Sequence, residues 1–191
     1  MTKNIMIVGV GGQGTLLTSR IIGKTALGMG HDVKISEVHG MAQRGGSVVT
    51  FVRFGDKVFE PVVEEGEADV IIAFERLEAL RYAHFLKKDG VLVVNDCRIN
   101  PMTVTVGAAA YPENILETLK DTHSVYAMDG QKIALELGNS RVLNSVILGL
   151  AANFIGFDKE SWLDVIEKTV PQKTVEINKT AFLAGYDSLA K

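Results

Sequence analysis

The feature that most constrains this chain is the run Gly9-Val10-Gly11-Gly12-Gln13-Gly14 together with what flanks it. Before it, residues 4–8 read as a buried parallel strand, because Ile5-Met6-Ile7-Val8 is unbroken by charge. After it, Leu16, Leu17, Ile21 and Ile22 recur at helical spacing. Strand, G-x-G-x-x-G and helix within about thirty residues is the pattern of a dinucleotide-binding β–α turn. In that pattern Gly9 allows the tight turn, Gly11 a close approach of backbone to an anion, and Gly14 close packing of helix on strand. The free N–H groups and the dipole of the first helical turn favour negative charge there. The same glycines also serve a tight turn that holds no ligand, and both readings stay open at this point.

The rest of the chain extends this start into an α/β domain. The first helix runs to Gly28, where Gly28-Met29-Gly30 supplies a stop. Gly23-Lys24-Thr25 imitates the end of a Walker A motif, but Thr18 stands where the motif needs its first glycine, and the triplet lies late in a helix. A second strand follows over 31–38. Its Glu37 stands 23 residues after Gly14, near where a ribose-binding carboxylate falls in an NAD site, or is simply a charge at a strand end. Residues 39–47, His-Gly-Met-Ala-Gln-Arg-Gly-Gly-Ser, fit no regular period. Such a loop can bring Arg44 and the bare backbone of Gly45 and Gly46 against a phosphate, a carboxylate or a partner's backbone.

Residues 47–54 and 57–60 around Gly55-Asp56 read as a β-hairpin. Further strands are expected over 69–74, 90–95, 102–106 and 124–129, with helices over 75–88, 112–120, 130–137, 141–154 and 158–169. The expectation is one domain over 1–191 with a Rossmann-like, mostly parallel sheet, a β-hairpin insertion and a helical C-terminal part from residue 140. The 141–154 helix is apolar around much of its girth, so it packs on the sheet, on a partner, or on both, and a homodimer of the isolated chain stays open.

Composition removes several functions. A formal charge of −3 without a basic block argues against nucleic acid. No apolar run reaches the length of a membrane span, and the N-terminal run is too short for a signal peptide, so a cytoplasmic chain is expected. Cys97 is the only cysteine, which leaves no internal disulfide and no iron–sulfur or Cys-based zinc site held by this chain alone. The four histidines, His31, His39, His84 and His123, show no metal-binding pairing. Asn95, Asp96 and the Asp129-Gly130 turn fall at strand ends, where open α/β sheets meet their ligands. Cys97 acts as a nucleophile only beside a base and positive charge. No Ser/His/Asp set or paired carboxylates stand out, nor does a thiamine diphosphate motif.

The two glycine-rich loops taken together are far more specific than either alone. Gly9 to Gly14, followed by Glu37-Val38-His39-Gly40-Met41-Ala42-Gln43-Arg44-Gly45-Gly46-Ser47, resembles the gamma-type subunits of the 2-oxoacid:ferredoxin oxidoreductases, and within them the indolepyruvate branch. The likeness continues through Arg141-Val142-Leu143-Asn144. It implies a subunit of a complex that oxidatively decarboxylates an aryl-pyruvate to an acyl-CoA. Thiamine diphosphate and iron–sulfur clusters would be carried by a large partner subunit, with ferredoxin taking the electrons and coenzyme A the acyl group. Carried over by position, Gly9, Gly11, Gly12, Gln13 and Gly14 match the family's first loop, and Arg44, Gly45 and Gly46 its second. Two other readings remain: a scaffold that touches no ligand, and a stand-alone NAD(P)-binding oxidoreductase using Gly9, Gly11, Gly14 and Glu37.

Overall fold

A computed structural model describes residues 2–40 and 45–190. Six strands form one sheet in the order β2-β3-β1-β4-β5-β6, namely β1 (Lys3–Val10), β2 (Asp32–His39), β3 (Ser47–Gly55), β4 (Ala68–Ala73), β5 (Leu86–Asn95) and β6 (Ser124–Met128). The pairs β1–β4, β4–β5 and β5–β6 are parallel, and only β3 runs against the rest. The expected mostly parallel sheet is present, and so are the C-terminal helices.

Alternation along the central strands divides the core into two layers, because successive side chains of a strand point to opposite faces. Ile5 and Ile7 of β1, with Val52, Ile72 and Val93, face α1 (Thr15–Gly28), α6 (Leu143–Ile155), α7 (Lys159–Thr169) and α8 (Val175–Tyr186). Met6 and Val8, with Phe51, Ile71, Leu92 and Val94, face α2 (Arg76–Tyr82) and α4 (Ile115–Lys120). Two short helices, α3 (Met102–Thr105) and α5 (Gly130–Glu136), flank the strand ends. Asp158 caps α7 as its position suggests, its carboxylate accepting the Ser161 N–H at 2.7 Å.

The hairpin is real but lies one strand earlier than the turn residues indicate. Antiparallel pairing joins β2 to β3 across residues 40–46, and the Gly40 N–H donates to the Ser47 carbonyl at 3.0 Å. Residues 57–60 form no strand, because both edges of β3 are already taken by β1 and β2. That segment is tied down through the Val58 N–H, which donates to Asp32 at 2.9 Å. Residues 102–105 form a helical turn on the Pro101 carbonyl rather than a strand, since β6 already fills the edge of β5. The helix expected over 75–88 stops at Tyr82, and Leu86 pairs with Ala68 as the start of β5.

The apolar helix 141–154 corresponds to α6, and its girth is buried inside the chain. One side packs on the sheet and the other crosses α8 at backbone contact. A Cβ on Gly149 would fall 2.0 Å from the Phe182 carbonyl oxygen, and one on Gly185 would fall 1.9 Å from that of Val146. Ser145 donates to the Asn178 carboxamide at 2.6 Å in the same buried seam. Among the described residues, no exposed apolar face of this helix is left for a homodimer. Gly185→Ala must push α8 off α6, which we expect to cost about 3 kcal/mol, the upper end for overpacking. The urea midpoint reports it, and an unchanged midpoint would refute the crossing.

Candidate functional site

The connections leaving β1 and β4 diverge, α1 toward β2 and α2 toward β5. Their carboxyl ends therefore border the crevice where open α/β sheets place ligands. Four segments meet there: the glycine loop after β1, Phe74-Glu75 after β4, Asn95 to Cys97 after β5, and Asp129-Gly130 after β6.

Gln13 organises the first loop. Its Oε1 accepts the Val10 N–H at 2.7 Å, and its Nε2 donates to the Phe74 carbonyl at 2.8 Å. Gly9 is small for this reason, since a Cβ there would meet Gln13 Oε1 at 2.8 Å and Phe74 Cβ at 3.1 Å. The Gly11 N–H donates to the Gly46 carbonyl at 3.0 Å. It is thereby occupied in joining the two loops, and does not approach an anion as the turn pattern suggests. Gly14 caps α1 at φ 84°, a left-handed conformation that favours glycine. What packs against it is Asn144 of α6 rather than the strand. No side chain caps α1 and no acidic residue stands in its first turn, so the N–H groups of Thr15, Leu16 and Leu17 precede the first intrahelical bond, Thr18 N–H to Gly14 O.

Glu37 is not placed for a ribose. β3 lies between β1 and β2, which sets Glu37 two strand spacings, roughly 9.5 Å, from the glycine strand. Both its oxygens are engaged, one by Thr50 Oγ1 at 2.9 Å and the other by His39 Nε2 at 2.7 Å. Arg44 lies outside the described residues. Gly45 borders a cavity of about 340 Å³ on the opposite side of the loop, with Ser47, Glu75, Glu78 and Arg81. Ser47 donates to the buried Glu78 carboxylate at 2.5 Å.

The polar residues at the other strand ends hold the crevice together. Asn95 is fully buried, donating to the Phe74 carbonyl at 3.1 Å and accepting the Gly130 N–H at 3.0 Å. Asp96 pairs with Arg76, and Arg98 stacks over the Tyr111 ring at 4.3 Å. Glu75, buried at the start of α2, accepts from Tyr111 Oη at 2.5 Å and from the N–H groups of Ile99 and Glu78. Burial and this carboxylate push the Tyr111 hydroxyl well above its ordinary range. Cys97 donates to the Phe74 carbonyl at 3.2 Å. Burial, with the Glu75 charge behind it, lifts its thiol to about 11, so it stays protonated and is no nucleophile at neutral pH.

A second cavity, about 540 Å³, opens between the glycine loop and the start of α6. Gly12, Gln13 and Gly14 line one side, Asn95 and Cys97 the floor, and Arg141 and Asn144 the far wall. Arg141 and Asn144 carry the family likeness in the sequence, but nothing in their spacing from Gly14 hints that they meet it. Among the described residues, no group of three or more His, Cys, Asp or Glu side chains could hold a metal ion, and no helix is long and apolar enough to cross a membrane.

The sheet, the glycine turn and its partner loop define a Rossmann-like α/β protein in which a strand is interposed beside the glycine turn. The family model described as pyruvate ferredoxin/flavodoxin oxidoreductase matches residues 4–188, and the chain belongs to that family. It is 44% identical over 188 residues to the indolepyruvate oxidoreductase subunit IorB of Pyrococcus horikoshii, covering 95% of this chain and 93% of that one. It is 38% identical to the IorB subunit of Methanothermobacter thermautotrophicus over the whole of both chains. Among solved structures it resembles the keto/oxoacid ferredoxin oxidoreductase gamma subunit of Geobacter sulfurreducens, with a TM-score of 0.74, 26% identity and 99% of each chain covered.

Two outcomes test this geometry. Gln13→Ala leaves the Val10 N–H without its partner and should lower stability by about 2 kcal/mol, read by denaturant unfolding, with faster amide exchange at Val10. Iodoacetamide should label Cys97 about a hundredfold more slowly at neutral pH than a thiol of pKa 9.0, with the rate climbing until near pH 11. Rapid labelling of the folded chain at pH 7 would contradict the half-buried, protonated thiol.

Proposed function

We propose that this chain is the cluster-free subunit of a 2-oxoacid:ferredoxin oxidoreductase complex that converts indolepyruvate, or a related aryl-pyruvate, to its acyl-CoA and carbon dioxide. The observation that carries the reading is identity of 38–44% to indolepyruvate oxidoreductase subunits along nearly the whole chain. The chemistry of the donor set agrees, because one half-buried cysteine cannot supply the roughly four ligands of an iron–sulfur cluster. Thiamine diphosphate and the clusters are therefore assigned to a large partner subunit, which passes electrons to ferredoxin. Thiamine diphosphate supplies the decarboxylation chemistry when bound. We read the chain as one domain over 1–191, working in the cytoplasm, a reducing compartment that suits its lone thiol.

On this chain the two loops are assigned to the face that meets the partner's active site. The Gly11–Gly46 hydrogen bond supports this, since it holds the loops as one surface at the strand ends. There Gly9, Gly11, Gly12, Gln13 and Gly14 shape the first loop, and Arg44, Gly45 and Gly46 help seat coenzyme A or close the oxoacid pocket. Glu37 takes no part, being held by Thr50 and His39. That placement also weakens the stand-alone NAD(P) enzyme.

Anaerobic affinity purification from the native cells should bring down a large, cysteine-rich chain bearing thiamine diphosphate, and the recovered complex should oxidise indolepyruvate faster than pyruvate or 2-oxoglutarate. A chain that emerges alone and binds NAD(P)H would overturn the proposal. In the assembled complex, Arg44→Ala should raise the KM for coenzyme A or for the oxoacid by about tenfold or more, the worth of a charge-assisted bond. Unchanged kinetics would leave the loop a scaffold.

A further inference from the structure

Between β5 and α4 the chain makes a long excursion from the carboxyl end of the sheet, and both its ends are tied to one buried atom. Glu75 Oε1 accepts the Ile99 N–H at 3.1 Å and the Tyr111 hydroxyl at 2.5 Å. Arg98 lies over the Tyr111 ring and closes the same neck. A loop whose ends are held together in this way is a compact unit rather than a slack connection. Its interior is bonded as well. The Pro101 carbonyl accepts from the N–H groups of Val104 and Thr105, and the Thr103 carbonyl from those of Ala108 and Ala109. Val104 roots the loop in the core layer that lies under α2 and α4.

What this braced loop shows to solvent is apolar. Residues 99–110 are twelve in succession without a charge, in a chain of which 23% is charged. Met102 is 74% exposed and Val106 67%, with Ile99 and the three alanines 108–110 exposed beside them. A single exposed apolar side chain is ordinary, but a run of them on a fixed backbone, flanked by Arg98 and Glu113, has the form of a docking surface. Little backbone entropy is left to lose on binding, because the internal hydrogen bonds have already fixed the chain. Twelve residues fall short of the roughly 20–30 a side that a stable two-subunit interface uses, so the loop is one part of a larger contact rather than a self-sufficient dimer surface. Its neighbour supplies the continuation: Ile99, Pro101 and Met102 share a cavity with Gly45 and Ser47 of the second glycine-rich loop.

We propose that residues 99–110 dock in an uncharged, apolar cleft of the large partner subunit, with Met102 and Val106 as the side chains buried there. Charge sets the chemistry of the occupant. Charged groups facing this loop would lose their hydration and find nothing to pair with, whereas apolar walls gain by excluding water. The inference deepens the function proposed above, and rests on it for the identity of the partner.

The isolated full chain and the purified complex, treated with hydrogen peroxide and read by mass spectrometry, test the surface directly. Met102 should oxidise to the sulfoxide about tenfold more slowly in the complex than in the isolated chain. Met29, beyond the far end of α1 and 50% exposed, should oxidise alike in both. Met102→Asp and Val106→Asp should each weaken association with the separated large subunit by about tenfold or more, as for central anchors of an interface. The urea midpoint of the isolated chain should stay the same in both variants. Equal oxidation of Met102 in chain and complex, or unaltered association in both variants, would overturn the inference and leave the subunit reading standing. An isolated chain that sediments as a dimer, and becomes a monomer on Met102→Asp, would overturn it in favour of a second copy. A chain that forms no complex at all would remove the subunit reading, and this inference with it.

Discussion

The carbonyl oxygen of Phe74 ties the functional end of this molecule together. It accepts from Gln13 Nε2, Asn95 Nδ2 and Cys97 Sγ, at 2.8, 3.1 and 3.2 Å, while the Phe74 N–H donates to Val8. Asn95 passes the connection on to Gly130. The segments that follow β1, β4, β5 and β6 are thereby referred to one buried acceptor. Asn95 is fully buried and has lost its water, so leaving its bond unmade costs more than the bond itself contributes. This explains why polar residues at strand ends, which are ordinarily free to meet ligands, are here largely consumed in fixing one another.

Once that scaffold is fixed, what remains available is informative by contrast. The carboxamides of Gln13 and Asn95 are engaged, both oxygens of Glu37 are engaged, and the Cys97 thiol is held protonated. The polar side chains of Gln131, Ser140, Arg141 and Asn144 also line the glycine-loop cavity. The engaged groups leave the strand ends fixed in shape rather than poised for acid–base or nucleophilic chemistry.

The interposed strand β3 is the second decisive element. It gives the sheet its mixed character, links the two glycine-rich loops through Gly11 and Gly46, and removes Glu37 from the neighbourhood of the glycine turn. A dinucleotide site needs the second strand beside the first. The same glycine pattern therefore serves a different arrangement, and the difference is one of strand order.

By itself the sequence determined the α/β class, the first strand and helix, the family likeness and the helical C-terminus, because these depend on local periodicity and turn chemistry. Ile5 to Val8, the Asp158 cap and the glycine loop were legible for that reason. Tertiary structure alone decided the rest. Whether residues 57–60 and 102–106 become strands depends on a free sheet edge, which β1, β2 and β6 had already taken. The meeting of Gly14 with Asn144, and of Gly149 with Gly185, depends on where α6 crosses the sheet and α8. Such contacts join residues far apart in the chain, and no pattern of neighbouring residues encodes the competition for an edge or the close approach of two backbones.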